Sequence, residues 1–200
     1  MNAAPAAEVR QHILDTAMPI MLGKGFSAVG LNEILSAAGI PKGSFYHYFG
    51  SKEAFGEALL ESYFADYVAR LDDLLTREPG TAAERLMRYW DDWRTAQSAD
   101  DPHGKCLAVK LGAEVCDLSE PMRAVLQRGT ERIVERLAAC IEQGIGDGSL
   151  NGVGEPAGTA ATLYELWLGA TLLDKIRRDR RPFDAAMVTT KHLLNLPPGA

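Results

Sequence analysis

Apolar residues recur at three- and four-residue intervals along almost the whole chain, and no segment alternates with the period of two that marks a half-buried strand. The pattern predicts an all-α protein. A first helix, about Glu8 to Gly23, places Val9, Ile13, Ala17, Ile20 and Met21 on one stripe, and Gly23-Lys-Gly25 ends it in the manner of a left-handed cap. Pro19 lies inside this run and, lacking a backbone donor, predicts a kink. Two short helices follow, around Leu31 to Ala38 and Lys42 to Tyr48, separated by the turn Gly39-Ile-Pro41; such a pair suggests a helix-turn-helix. Ser51 is placed to cap the next segment, with Glu53 in its first turn, and this amphipathic run reaches about Thr76 before Arg77-Glu-Pro-Gly80 breaks it. Helical runs then cover roughly Ala82 to Gln97, Lys105 to Cys116, Pro121 to Ile145, Pro156 to Arg178 and Phe183 to Leu194.

Composition narrows what such a protein does. A chain of 200 residues, 46% of them hydrophobic, buries a substantial core. No apolar run approaches the ~20 residues that span a bilayer, and the best candidate, Leu163 to Leu173, contains Glu165. Residues Met1 to Ala7 lack a basic start and a following apolar stretch, so a cytoplasmic location is expected. Cys106, Cys116 and Cys140 are odd in number and form no CxxC pair, which argues against a disulfide framework or structural zinc; they read as free thiols, and no metal or cofactor is expected. The net charge of −6 argues against a protein that coats nucleic acid. Over the first 53 residues Arg10, Lys24, Lys42 and Lys52 are balanced by Glu8, Asp15, Glu33 and Glu53, so a DNA-reading face must rest on motif geometry. The glycine-rich stretches at 144–148 and 151–154 lie between helices with no strand before them, and read as helix stops and loops rather than a phosphate cradle. Catalytic motifs of the HExxH, GxSxG and P-loop kinds are absent from the sequence, and His12, His47, His103 and His192 are scattered; an enzyme is not expected.

The run from Phe26 to Lys52, FSAVGLNEILSAAGIPKGSFYHYFGSK, resembles the helix-turn-helix of the TetR family. It has an amphipathic first helix, a glycine turn, a small-residue opening to the reading helix, an aromatic cluster, and a lysine starting the next helix. The resemblance implies a DNA-binding domain over residues 8–61 and an effector-binding and dimerisation domain over 62–196. It further implies a homodimer that represses at double-stranded operator DNA and is released by a small-molecule or electrophile effector. On the matching positions, Lys42, Gly43 and Ser44 are base-proximal candidates, with glycine permitting close approach to the major groove. Ser27, Tyr46, His47 and Lys52 fall on positions that contact phosphate in the family. Phe45, Tyr48 and Phe49 are expected to pack the small domain. Lys42 and Lys52 remain open to a reading as solvated charges, and Ser44 to one as a helix cap. Many family members carry basic residues before the first helix; here Met1 to Ala7 has none. Dimerisation is expected through the last two long helices, where Leu163, Leu166, Trp167, Ala170 and Leu173 form an apolar face, unless that face closes the chain's own core.

A narrower resemblance lies at Gly104-Lys-Cys-Leu-Ala-Val-Lys-Leu-Gly-Ala-Glu114, followed by Ser119-Glu-Pro-Met-Arg123. It is similar to a TetR subgroup that contains electrophile-sensing and acrylate-responsive regulators, in which Cys106 falls on the sensing cysteine. A first-turn position beside Lys105 and Lys110 would favour thiolate, although a buried cysteine there can also simply pack. Cys116, ten residues on, would lie ~15 Å away along an intact helix, too far for a direct disulfide, and Glu114, Asp117 and Glu120 around it discourage ionisation. Cys140, among Ile133, Val134, Leu137 and Ile141, reads as a small buried hydrophobe. Three effector readings stay open: modification at Cys106, a reversible non-covalent inducer, and, more remotely, a helical small-molecule-binding protein or enzyme without DNA binding.

Overall fold

The computed structural model describes residues 6–98 and 106–197, and all regular structure among them is helical. The helices are α1 (Ala6–Lys24), α2 (Leu31–Ala38), α3 (Phe45–Phe49), α4 (Lys52–Asp72), α5 (Ala82–Ser98), α6 (Leu107–Val115), α7 (Glu120–Gly146), α8 (Pro156–Arg177) and α9 (Arg181–Leu193). A 3-10 turn, Lys42–Ser44, leads into α3, and a π-helical turn, Asp73–Arg77, extends α4. The chain divides into two compact units: Met1–Asp66 with Ala99–Gly129, and Tyr67–Ser98 with Thr130–Ala200.

In the first unit, α1 runs through Pro19 to Lys24. Gly25 then takes the left-handed conformation (φ 93) and its N–H donates to the Met21 carbonyl at 2.8 Å, the cap the glycine pair predicts. The buried stripe of α1 is Ile13, Leu14, Ala17, Met21 and Leu22; Val9 and Ile20 are only half-buried, because the face turns toward α2. Gly39, also left-handed (φ 67), ends α2 and lets Ile40 N–H reach the Leu35 carbonyl at 2.9 Å. Ser51 Oγ accepts from the Ala54 N–H at 3.0 Å, capping α4. Phe45, Phe49 and Phe55 form the centre of the small core, with ring centroids 5.1–5.7 Å apart. Two glycines admit close approach of the later segment: a Cβ on Gly56 would strike Phe26 and the Met122 sulfur, and one on Gly129 would strike the Phe64 ring.

In the second unit, α5 begins with a reciprocal cap. Thr81 N–H donates to Glu84 Oε2 at 2.7 Å, while Glu84 N–H donates to Thr81 Oγ1 at 3.3 Å. The next orphan donors, Ala82 and Ala83 N–H, reach Asp147 Oδ2 (3.0 Å) and Ser149 Oγ (3.2 Å). The glycine-rich stretch around 144–148 therefore stops α7 and caps α5. Glu155 caps α8 by accepting from Ala157 and Gly158 N–H at 2.8 and 2.6 Å, with Pro156 in the first helical position. The centre of this unit is aromatic: Trp90 stacks on Trp167 (5.1 Å, 17°), which also meets Phe183 at 5.8 Å. Of the apolar face expected at a dimer interface, Leu163, Trp167 and Ala170 are buried inside this unit and close the chain's own core, whereas Leu166 is half-buried and Leu173 is exposed. Among the described residues no helix is long and apolar enough to cross a membrane.

Candidate nucleic-acid interface and its supporting helix

The reading helix opens as a 3-10 turn because Lys42, Gly43 and Ser44 follow Pro41, with Ser44 N–H donating to the Pro41 carbonyl at 2.9 Å, and becomes α-helical at the aromatic run. Lys42 and Gly43 are exposed and Ser44 is half-buried; the Ser44 side chain makes no capping bond to α3. Phe45 and Phe49 point into the core and Tyr48 is half-buried, which leaves Tyr46, 62% exposed, and His47 on the outer face. A Cβ on Gly43 would meet no atom within 4 Å, so nothing in the protein's own interior demands glycine there. Gly43→Ala is expected to leave thermal stability unchanged or slightly raised, by up to ~1 kcal/mol. The same change is expected to weaken operator binding roughly tenfold, about 1.4 kcal/mol. Parallel melting and titration of operator and scrambled DNA check this.

Two expected phosphate contacts have intrachain partners. Lys52 Nζ donates to the Phe26 carbonyl at 3.0 Å and lies 4.8 Å from the Phe26 ring centroid. Ser27 N–H donates to Glu114 Oε1 at 2.5 Å. Of the other bases, Lys24 pairs with Glu33 (2.5 Å) and Arg10 lies over the Phe49 ring (5.1 Å). Lys42 is thus the base displayed by the recognition turn itself.

The contacts that composition and motif did not indicate are made from α6 and the turn after it. Glu114 accepts from Phe26 N–H (3.0 Å) as well as Ser27, and Lys110 Nζ donates to the Gly23 carbonyl at 3.1 Å. Burial pushes the Glu114 carboxyl up, but the bonds from Ser27 and Phe26 and the Lys110 charge outweigh it and hold the group below the usual carboxylate range. One turn on, Ser119 Oγ donates to Glu53 Oε1 at 2.5 Å at the start of α4 and accepts from Met122 N–H at 3.3 Å. The only hint in sequence is the four-residue spacing of Lys110 and Glu114, which equally suits a solvated helical pair.

Cys106 is the N-cap of α6, one position before the first-turn placement that its surroundings suggested, and is buried (7% exposed). The helix begins at Leu107, whose N–H donates to Tyr63 Oη at 3.3 Å. His103, Gly104 and Lys105 lie outside the described residues. Cys116, at the other end of α6, is exposed, and none of the three cysteines is in a disulfide. The acidic surroundings expected around Cys116 are rearranged: Glu114 turns to the α1–α2 loop, and Glu120 pairs with Arg123 at 2.6 Å. Cys140 is buried, as expected, and burial raises its thiol to about 11. Among the described residues no group of three or more His, Cys, Asp or Glu could hold a metal ion.

A helix-turn-helix with an exposed recognition turn, built on an all-helical scaffold, defines a DNA-binding regulator. The family described as bacterial regulatory proteins, tetR family, matches residues 13–59, and the tetracyclin repressor-like C-terminal domain matches residues 82–190. The chain belongs to the tetR family, whose regulators bind operator DNA as dimers and respond to effectors. It is 41% identical to the HTH-type transcriptional repressor NemR of Escherichia coli strain K12 over 197 residues, 98% of this chain and 99% of that protein. It is 34% identical to the transcriptional regulator AcuR of Cereibacter sphaeroides over 178 residues, 88% of this chain and 80% of that one. The crystal structure of reduced E. coli NemR superposes with a TM-score of 0.89, covering 96% of this chain and 99% of the other.

Proposed function

We propose that this protein is a cytoplasmic, homodimeric repressor that leaves its operator when an electrophile or oxidant modifies Cys106. One observation carries the reading: Cys106 is buried at the N-cap of α6, and α6 lies in the same compact unit as the helix-turn-helix. Lys42, Gly43 and Ser44 approach base edges, and Tyr46 and His47, with the remaining donors of Lys52, approach phosphate. The proposed role of Ser27 is indirect, through its N–H on Glu114. The named relatives are transcriptional regulators, and no reaction is assigned to this chain beyond modification of its own thiol.

Burial makes such a modification consequential. A side chain 7% exposed leaves no room for added atoms, so an adduct fits only a conformer in which the start of α6 has opened, and the reaction selects that conformer. With N-ethylmaleimide, the Cys106 thiolate forms a bond to one alkene carbon, the carbon–carbon π bond breaks, and the other carbon takes a proton from water. With hypochlorous acid, chlorine passes to sulfur and hydroxide leaves; water then releases chloride and a proton to give the sulfenic acid, a two-electron oxidation of sulfur. A differential interaction of about 1.4 kcal/mol between the two conformers suffices for a tenfold loss of operator affinity.

The test treats wild type, Cys106→Ser, Cys116→Ser and Cys140→Ser with N-ethylmaleimide and measures operator release. Cys116 reacts first because it is exposed, yet Cys116→Ser and Cys140→Ser are expected to release DNA like wild type, and Cys106→Ser to stay bound. Release of Cys106→Ser as readily as wild type would discard the thiol reading in favour of a reversible ligand.

A further inference from the structure

We infer that Glu114 is a positioning residue for the reading head: its carboxylate, seated on the Phe26 and Ser27 N–H groups, fixes the α1–α2 loop and makes α6 the element that sets how the recognition helix is presented. The part concerning Cys106 rests on the function proposed above; the part concerning DNA binding does not.

The seat is built for a carboxylate. Gly25, left-handed at φ 93, turns the chain so that two successive N–H groups converge on one anion, with Phe26 N–H 3.0 Å from Glu114 Oε2 and Ser27 N–H 2.5 Å from Oε1. A Cβ on Gly25 would lie 3.0 Å from that same Oε2, so glycine supplies both the backbone conformation and the space. Lys110 holds the opposite polarity just before the loop, the Gly23 carbonyl in the last turn of α1, at 3.1 Å. All of these bonds are charge-assisted, and they grip the short segment that connects α1 to α2.

Cys106, Lys110 and Glu114 are spaced four residues apart, on one stripe of α6, and Lys110 N–H donates to the Cys106 carbonyl at 3.1 Å. The helix moves as a rod over the ~12 Å between the first and last of them. A shift that makes room at Cys106 is therefore delivered to the loop, where hydrogen bonds of fixed direction are lost rather than stretched. Ser27 thus acts from the protein side of the head, through Glu114.

The experiment uses the full-length dimer in a Cys116→Ser background, to remove the exposed thiol, and compares this parent with Glu114→Gln and Lys110→Met. Affinity for operator and for scrambled DNA is titrated before and after N-ethylmaleimide, adducts are located by mass spectrometry, and melting confirms folding. Unmodified Glu114→Gln is expected to bind operator about tenfold more weakly, and Lys110→Met to lose less in the same direction. Binding to scrambled DNA is expected to stay unchanged, whereas partial unfolding would lower both affinities alike. Modification of Cys106 is expected to cost the parent at least about tenfold and Glu114→Gln less than about threefold. Folded variants with the parent's operator affinity would overturn the positioning role, and an equal loss on modification in parent and Glu114→Gln would overturn transmission through this contact. A parent fully modified at Cys106 yet still bound would instead reject the sensor reading, and the unmodified affinities alone would then decide the role of Glu114.

Discussion

Replacing Trp167 with alanine is expected to remove about 3–5 kcal/mol of stability, a large share of the 5–15 kcal/mol typical of a domain. Trp167 is fully buried, stacked on Trp90 and flanked by Phe183, so truncation empties the centre of the second unit. It also breaks a polar arrangement that lets indoles occupy an apolar core. Trp167 Nε1 donates to Thr190 Oγ1 at 2.9 Å, and the Thr190 hydroxyl in turn donates to the Ala186 carbonyl at 2.8 Å. Trp93 Nε1 repeats the pattern on Thr171, which donates to the Trp167 carbonyl. Trp167→Phe keeps most of the buried ring area but not the hydrogen bond, and is expected to cost about 1–3 kcal/mol. Urea unfolding followed by tryptophan fluorescence measures both, because all three tryptophans lie in the second unit. An alanine variant within ~0.5 kcal/mol of wild type would contradict the packing described.

The features legible in the sequence share a property: each is decided by residues near one another in the chain. The left-handed stop at Gly25, the Ser51 cap and the burial of Phe45 and Phe49 follow from local chemistry and helical period. Cys140 was legible for the same reason, since its helix neighbours are apolar. Glu114 was not: its partners lie 87 and 88 residues earlier, and a half-exposed glutamate on a short helix looks solvated until the loop facing it is known. The intrachain contact of Lys52 is hidden in the same way, because a motif position indicates a donor but not that one of its bonds goes to the Phe26 carbonyl. The apolar stripe of α8 shows the limit of periodicity. A stripe reports that a face is buried, and only the aromatic partners on α5 and α9 show that the burial is within the chain.

The exposed part of that stripe keeps α8 and α9 as the expected dimer helices, and Ile176→Asp is expected to split the dimer and lower operator affinity by a factor of about 100 or more. With Leu163, Trp167 and Ala170 buried, the apolar surface left on α8 is Leu172, Leu173 and Ile176, joined by Val188 on α9; Ile176 and Val188 are 67% and 71% exposed. Four of the seven large hydrophobic residues exposed among those described fall on these two helices, a concentration that scattered surface apolar residues would not produce. In a twofold dimer each substitution occurs twice, so Ile176→Asp places two carboxylates in one apolar contact, where removing them from water costs several kcal/mol. The fold of the single chain is expected to survive, because Ile176 packs against little of its own unit. Loss of the dimer removes the advantage of linked heads: each half-site then binds on its own, and the effective concentration that one bound head gives the other is gone. Sedimentation at micromolar concentration, together with titration of full operator and isolated half-site, measures the effect. Half-site affinity should hold while full-operator affinity falls; a variant that remains dimeric with wild-type operator affinity would move the interface off this face.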